Sequence, residues 1–348
     1  MHAVAIINYR TAAVTSECVA ALAAIEPEAA IYLLDNGSGE AELAALRDLA
    51  ARMPRLMLIE SPDNLGFAAG MNRLLETILA DRQNDTVLLL NSDTKPTAGF
   101  LQAMLRLLDP ERQVDMVGAR QVRPGGGDVE SLGIALYRST LASNRKRSDE
   151  VLLGPTGGCA LFTRRLLEDV KTTYAEWFDE AFFCYAEDTD LVIRARWLGY
   201  RPALAEDALV YHIGSLSAGG AESDFVLYHG IRNSLWWLIK DAPTAWFLRS
   251  LPWFLLLHAG IWVRHLRRGR GRVLWRLYRD ALAGMPAMLR KRQRIRAARR
   301  VPAREFARWV EPRFYERTYL KRAWRQLFSG RRDAKESEIE KIRETDRL

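Results

Sequence analysis

A regular alternation in the first ninety residues constrains this chain most. Short apolar runs occur at Val4 to Tyr9, Ile31 to Leu34, Leu56 to Glu60 and Thr86 to Leu90. Between them lie stretches of helical composition: Thr15 to Glu26, Glu40 to Arg52 and Phe67 to Ala80. Strands this apolar, separated by helices, predict a mostly parallel sheet covered on both faces. Ligands of such sheets bind outside the carboxyl ends of the strands. The polar turns Asn8-Tyr9-Arg10, Asp35-Asn36-Gly37-Ser38 and Asn91-Ser92-Asp93 all fall at that edge.

Further along, Glu187-Asp188-Thr189-Asp190 puts three carboxylates in four positions, directly after the aromatic run Ala181 to Ala186. Like charges this close repel, so a site that must hold a proton acceptor has reason to crowd them. Asp188 is the candidate general base for an acceptor hydroxyl. The same acids also suit a helix N-terminus, where they complement the dipole.

Asn91 and Asp93 offer an amide oxygen and a carboxylate two residues apart. Such oxygen ligands suit Mg²⁺ or Mn²⁺ on a diphosphate, and the same residues also finish a strand in an ordinary turn. His212 closes the strand-like Val210-Tyr211-His212, ahead of Ile213-Gly214-Ser215, and is the candidate to join Asp93. Asp35 to Ser38 either holds a ribose or base edge or builds an Asx turn. Asn64 to Asn72 supplies small residues at a helix start, open to close approach by a nucleotide. Gly154 to Gly158 marks a tight backbone passage before the strand-like Cys159 to Phe162. Pro124 to Asp128 reads as a loop and Ser143 to Glu150 as polar, so residues 120–155 are expected to form a mobile segment over the site. Dinucleotide and Walker fingerprints are absent.

The charge divides the chain. Residues 1–240 carry a net −9 and residues 241–348 a net +17. An acidic catalytic domain fused to a basic helical tail is the expected organisation. Within the tail, Leu251 to Val263 is uncharged apart from His258, but Pro252 interrupts it, and about 20 apolar residues are needed to span a bilayer. Residues 264–300 then hold fourteen Lys and Arg and one acid, Asp280, with Trp, Leu and Met interleaved. That pattern predicts docking in the plane of an anionic membrane surface rather than nucleic-acid binding. Cys18, Cys159 and Cys184 are few and odd in number, which predicts a reducing compartment, and no secretory leader is expected before Val4.

In order, the motifs are Asn8-Tyr9-Arg10, Asp35 to Ser38, Asn64 to Asn72, Leu90 to Thr94, Gly157 to Phe162, Phe178 to Phe183, Glu187 to Leu191, Tyr211-His212 and Arg232-Asn233. Together they resemble family 2 of the glycosyltransferases, and within it the rhamnosyltransferase-like enzymes of bacterial cell-surface polysaccharide assembly. The resemblance covers residues 1–240 and implies an α/β fold of the GT-A type, with residues 241–348 as a helical extension. It implies an inverting transferase with Asp188 as base, Asp93 and His212 on a divalent cation (Mg²⁺ or Mn²⁺), and Asn91 where many relatives carry an Asp. Tyr9, Arg10, Asp35 and Asn72 would contact the nucleoside or diphosphate. Asn36, Asn64, Gly66, Ser92, Gly157, Gly158, Glu187 and Arg232 would complete the substrate site. The donor it favours is dTDP-L-rhamnose, with UDP-hexoses or a UDP-furanose as alternatives. The acceptor would be a lipid-linked or oligosaccharide chain at the cytoplasmic face of the inner membrane. A nucleotidyltransferase of the same fold is the competing activity, and it would need a basic Gly-rich phosphate loop that this N-terminus lacks.

Overall fold

The computed structural model describes residues 1–125, 128–213 and 223–316. Gly126 and Gly127 of the expected loop, and Gly214-Ser215 after the histidine, lie outside the described residues.

Strands β1 (His2–Asn8), β2 (Ala30–Asn36), β3 (Leu56–Ser61) and β4 (Thr86–Leu90) alternate with helices α1 (Ala12–Ile25), α2 (Glu40–Arg52) and α3 (Gly66–Ala80). The four strands are parallel, in the order β3-β2-β1-β4. Every residue of β4 is buried. Burying such a leucine on both faces of a sheet stabilises by roughly 1.5–3 kcal/mol per side chain, which is why this run is a central strand.

Past β4 the sheet changes direction. β5 (Thr94–Pro96), α4 (Phe100–Leu105), β6 (Val114–Val122) and β7 (Val129–Ser131) follow, then β8 (Ile134–Tyr137), β9 (Ala142–Asn144) and β10 (Cys159–Thr163). After α5 (Arg164–Tyr174) and α6 (Glu187–Trp197) comes the long β11 (Arg201–His212). The sheet continues β4-β10-β6-β11-β5, with β10 antiparallel to both its neighbours. Two registers decide where the polar turns meet. Cys159 pairs with Leu90, so the loop before β10 lies beside the end of β4. His212 pairs with Thr94, so the end of β11 lies beside Asp93. Two apolar clusters fill the opposite faces of the sheet, one under α3, α5 and α6, the other under α1 and α4.

The C-terminal part is helical: α7 (Asp224–Asp241), α8 (Thr244–Arg267) and α9 (Gly271–Ala298), then the short β12 (Val310–Glu311). Trp236, Trp237, Met288, Ile295, Phe306 and Trp309 join the larger sheet-side cluster, so these helices share a core with the N-terminal part.

Two expectations are corrected. Residues 129–154 are not a loose cover. β8 pairs with β9 and with the C-terminal β12, and the buried Arg145 donates to the carbonyls of Glu150 (2.7 Å) and Leu132 (3.3 Å). An arginine and a glutamate in a polar stretch read as solvated, but here they satisfy buried backbone groups. The apolar run at 251–263 is not broken by Pro252. That residue sits inside a continuous 24-residue helix which, by length and composition alone, could cross a membrane.

Candidate active site

The site forms where the carboxyl ends of β1, β2 and β4 face the loop before β10, the start of α6 and the end of β11. His212 Nε2 lies 3.2 Å from Asp93 Oδ1 and 3.3 Å from the Asn91 side-chain amide. His212 Nδ1 is buried without a partner. The Asn91 backbone N–H donates to the Gly158 carbonyl at 3.0 Å, and the Gly157 N–H donates to Asp188 Oδ2, also at 3.0 Å. The turn at Gly157-Gly158 therefore joins Asp188 to the Asn91–Asp93–His212 group. Residues 93, 188 and 212, far apart in sequence, share one locality. A Cβ on Gly158 would stand 2.9 Å from Gln121 Oε1, so a side chain there would have to displace the Gln121 amide.

Asp188 is half-buried in the first turn of α6. Burial pushes its carboxyl above the usual range, against hydrogen bonds from the Gly157 and Thr189 backbone that hold it down. The cause is desolvation rather than crowding by like charges. The three acids go to separate tasks. Glu187 is buried with Oε2 unpartnered, and burial followed by the charge of Asp188 raises it well above the usual range. Asp190 turns inward. Burial opposes its charge, but Arg194 and Lys240 overcome that and hold it low. Arg194 donates at 2.7 and 2.9 Å, and Lys240 Nζ stands 2.6 Å away.

The aromatic run before the acids is bent sharply. Phe183, Tyr185 and Ala186 have positive φ, and Phe183 (φ 65°, ψ −64°) is the centre of a γ-turn of the rare, strained hand. Three bonds from Asn233 Nδ2 pin this bend, to the carbonyls of Phe182 (2.9 Å), Cys184 (2.8 Å) and Tyr185 (2.7 Å). Arg232 adds bonds to Ala181 and Phe182 and stacks on Trp236 and Tyr228. Opposite, Gly66 (φ 75°) is required because a Cβ there would meet the Phe183 ring and carbonyl at 2.5–2.6 Å.

On the strand side, Asp35 is buried and accepts from Asn8 (2.9 Å) and the Ser38 N–H (3.3 Å). Ser38 Oγ in turn accepts from the Arg10 N–H at 2.9 Å. Tyr9 lies under the Arg10 guanidinium, 5.1 Å from ring centre to carbon. Asn36 bonds Asn64, Gly66 and the Leu65 N–H. Ser92 sits half-buried between Asn91 and Asp93.

Two predicted substrate contacts are occupied elsewhere. Asn72 spends its amide on both backbone groups of Phe178, each at 2.9 Å, and Arg232 spends its guanidinium on the bend. Both lie on helices whose partner loops sequence spacing does not reveal. Conversely, Gln121 and Lys240 enter the site's support without having been singled out, whereas Asn8 and Asn233 stood in the motifs beside Arg10 and Arg232 but were given no role.

Among the described residues, no group of three or more His, Cys, Asp or Glu gathers as a metal cluster. Asp93 and His212 nonetheless suit an open site. Adjacent ligands of an octahedral Mg²⁺ or Mn²⁺ stand roughly 3 Å apart for bonds of about 2.1 Å, and the observed pair is at 3.2 Å. Oxygen donors are the right kind for either ion, the imidazole favours Mn²⁺ over the harder Mg²⁺, and a flip of the Asn91 side-chain amide would add its oxygen.

A half-parallel sheet with its polar loops gathered over the switch from parallel to antiparallel strands has the layout of the GT-A fold. The chain belongs to the family described as glycosyltransferase like family 2, whose model matches residues 2–225. Its fold is similar to the mannosyltransferase PcManGT from Pyrobaculum calidifontis, solved with GDP-Man and Mn²⁺ (19% identity, 85% of each chain, TM-score 0.52). It is also similar to S. aureus TarS 1–349 in complex with UDP-GlcNAc (15% identity, 90% of this chain and 93% of that one, TM-score 0.53). A third likeness is to GalNAc-T7 with UDP, GalNAc and Mn²⁺ (13% identity, 75% of this chain and 50% of that one, TM-score 0.57). Among curated proteins, none matches in sequence.

Proposed function

We propose that this enzyme is an inverting glycosyltransferase that moves L-rhamnose from dTDP-rhamnose to a lipid-linked saccharide at the cytoplasmic face of a membrane. One observation carries the chemistry: the Gly157-Gly158 turn holds Asp188 next to the Asn91–Asp93–His212 group. Inversion needs one base and one displacement. Asp188 Oδ accepts the proton of the acceptor hydroxyl as that oxygen bonds to the anomeric carbon. The bond from that carbon to the diphosphate breaks on the opposite face, and its electron pair leaves with the nucleoside diphosphate. Asp93 and His212 would hold a divalent cation that, when bound, supplies charge to ease this departure. Asp35, buried and fixed by Asn8 and Ser38, would shape the loop that meets the nucleoside.

The choice of rhamnose rests on the motif resemblance. Hexosyl donors are the second reading, favoured by the GDP-Man and UDP-GlcNAc that the fold neighbours hold. A donor-hydrolysis screen over dTDP-rhamnose, GDP-mannose, UDP-hexoses and UDP-furanoses, with and without Mn²⁺, separates them. Preferential cleavage of dTDP-rhamnose is expected. Preference for a hexose donor would remove rhamnose, and no cleavage of any donor would remove the transferase reading of this site.

A further inference from the structure

We infer that the α8–α9 hairpin is a lipid-surface dock which lies in the plane of an anionic bilayer and does not cross it. The observation is a pair of apolar stripes on one outer face. On α8, Leu248, Pro252, Leu255, Leu256, Val263 and Leu266 are all exposed, Leu248 by 60% and Leu255 by 57%. Their spacing of three, four and seven residues puts them in one line. Ser250, Leu257, Ile261 and His265 form the buried line on the opposite side. On α9, Trp275, Leu282 and Leu289 repeat every seven residues and are exposed by 60%, 64% and 45%. Their buried counterparts are Leu274, Leu277, Ala281 and Met288.

The two lines face the same way. Arg268 to Arg270 makes a short turn between the helices. The flanks in between touch, through His258 Nδ1 and the Tyr278 hydroxyl at 2.6 Å and the stacked rings of Trp262 and Tyr278. In an antiparallel pair that shares one core below and one contact between, the remaining faces point together, away from the core.

Charge names the occupant. Exposed Arg272, Arg276, Arg279 and Arg290 run along one edge of the α9 line, and Arg249 and Arg267 edge the α8 line. An apolar strip bordered by arginines fits the boundary between acyl chains and anionic headgroups. A second copy of this chain would meet the same positive charge. α8 is long enough to span, but its other side is committed to the protein: Leu257 and Ile261 are packed with Leu227, Leu274 and Leu277. Crossing would expose that core and carry the buried Ser250 and His265 into hydrocarbon, so the in-plane arrangement wins.

The inference does not depend on which sugar is moved. The test is co-sedimentation of the full chain with phosphatidylcholine vesicles, plain or carrying phosphatidylglycerol. The wild type is expected to pellet with the anionic vesicles and to be released by high salt. Leu255→Glu with Leu282→Glu is expected to stay in the supernatant while donor hydrolysis persists. Arg272→Gln with Arg279→Gln and Arg290→Gln is expected to weaken partitioning onto anionic vesicles by roughly 100-fold, while leaving weak binding to neutral ones. Glutamate variants that pellet like the wild type would overturn the proposal. So would a wild type that resists both salt and alkaline extraction, which would mean spanning, or one that ignores vesicles and dimerises through this face. Loss of hydrolysis alone would count against the transferase reading, not the dock.

Discussion

The Gly157 backbone N–H points at Asp188 Oδ2, 3.0 Å away. This bond fixes the carboxylate in one orientation and leaves Oδ1 to the Thr189 N–H at 2.6 Å. A base needs a defined direction before it needs a tuned pKa, and a glycine N–H in a turn supplies it without a bulky neighbour.

Asp188→Asn keeps the shape and one of the two backbone bonds, from Gly157 or from Thr189, but cannot accept a proton. Turnover is expected to fall by about 10²–10⁴-fold. Donor affinity by calorimetry should stay near wild type. A variant that turns over normally would remove Asp188 as base.

Burial raises the Asp188 carboxyl above its usual range, so the base is protonated, and idle, at a higher pH than a surface aspartate would be. The acid limb of the kcat profile should therefore fall with a midpoint above about 3.9, the ordinary aspartate value. A midpoint at or below that value would contradict the desolvated setting.

His212→Ala removes the nitrogen beside Asp93. Nucleoside diphosphate binding measured with Mn²⁺ should weaken about 10–100-fold, while binding measured in EDTA should hardly change. Equal losses in both conditions would make His212 structural.

Asn233→Ala frees the carbonyls of Phe182, Cys184 and Tyr185 and lets the strained bend relax. The expected signature is a large loss in kcat at little change in donor affinity, because the bend leads directly into Asp188. Asn233→Asp supplies no amide and should not rescue it.

Lys240 is 1% exposed and stands between Asp179 (2.8 Å) and Asp190 (2.6 Å). Lys240→Met removes one of the two cations each carboxylate has, leaving Arg194 on Asp190 and Lys291 on Asp179, and is expected to cost at most about 3–5 kcal/mol. Chemical denaturation should show this loss at neutral pH. Asp179 and Asp190 both lie below the ordinary range in the folded state, with burial opposing and the lysine and arginine charges prevailing. Their contribution is therefore present above the unfolded carboxylate range and is lost as pH falls through the lower folded values. The gap between wild type and variant should narrow in acid.

Much of this was legible locally. Apolar runs located β1 to β4 within a residue or two; for β1, β2 and β4 a strand buried on two sides has little freedom in composition, while the edge strand β3 is half exposed and was found by its flanking helices. The polar turns at Asn8, Asp35 and Asn91 follow from the same pattern. The antiparallel half was harder to read. β7, β8 and β9 are three or four residues long and draw their stability from partners as distant as Val310. The acids at 187–190 were visible as a group, but their different tasks were not, since Lys240 reaches Asp190 from a helix far along the chain.

The sequence by itself located β1 to β4 and the helices between them, the polar turns at their ends, and the collection of charge at one end of the chain. Those properties depend on side chains within a few positions of one another. Tertiary structure alone decided that Asp188 is held by Gly157, that Asp190 is sealed in an ion-pair network and that Asn72 braces Phe178. Each is a contact across dozens of residues, set by sheet register and helix packing, and a one-dimensional pattern holds no record of which distant groups will share a buried space.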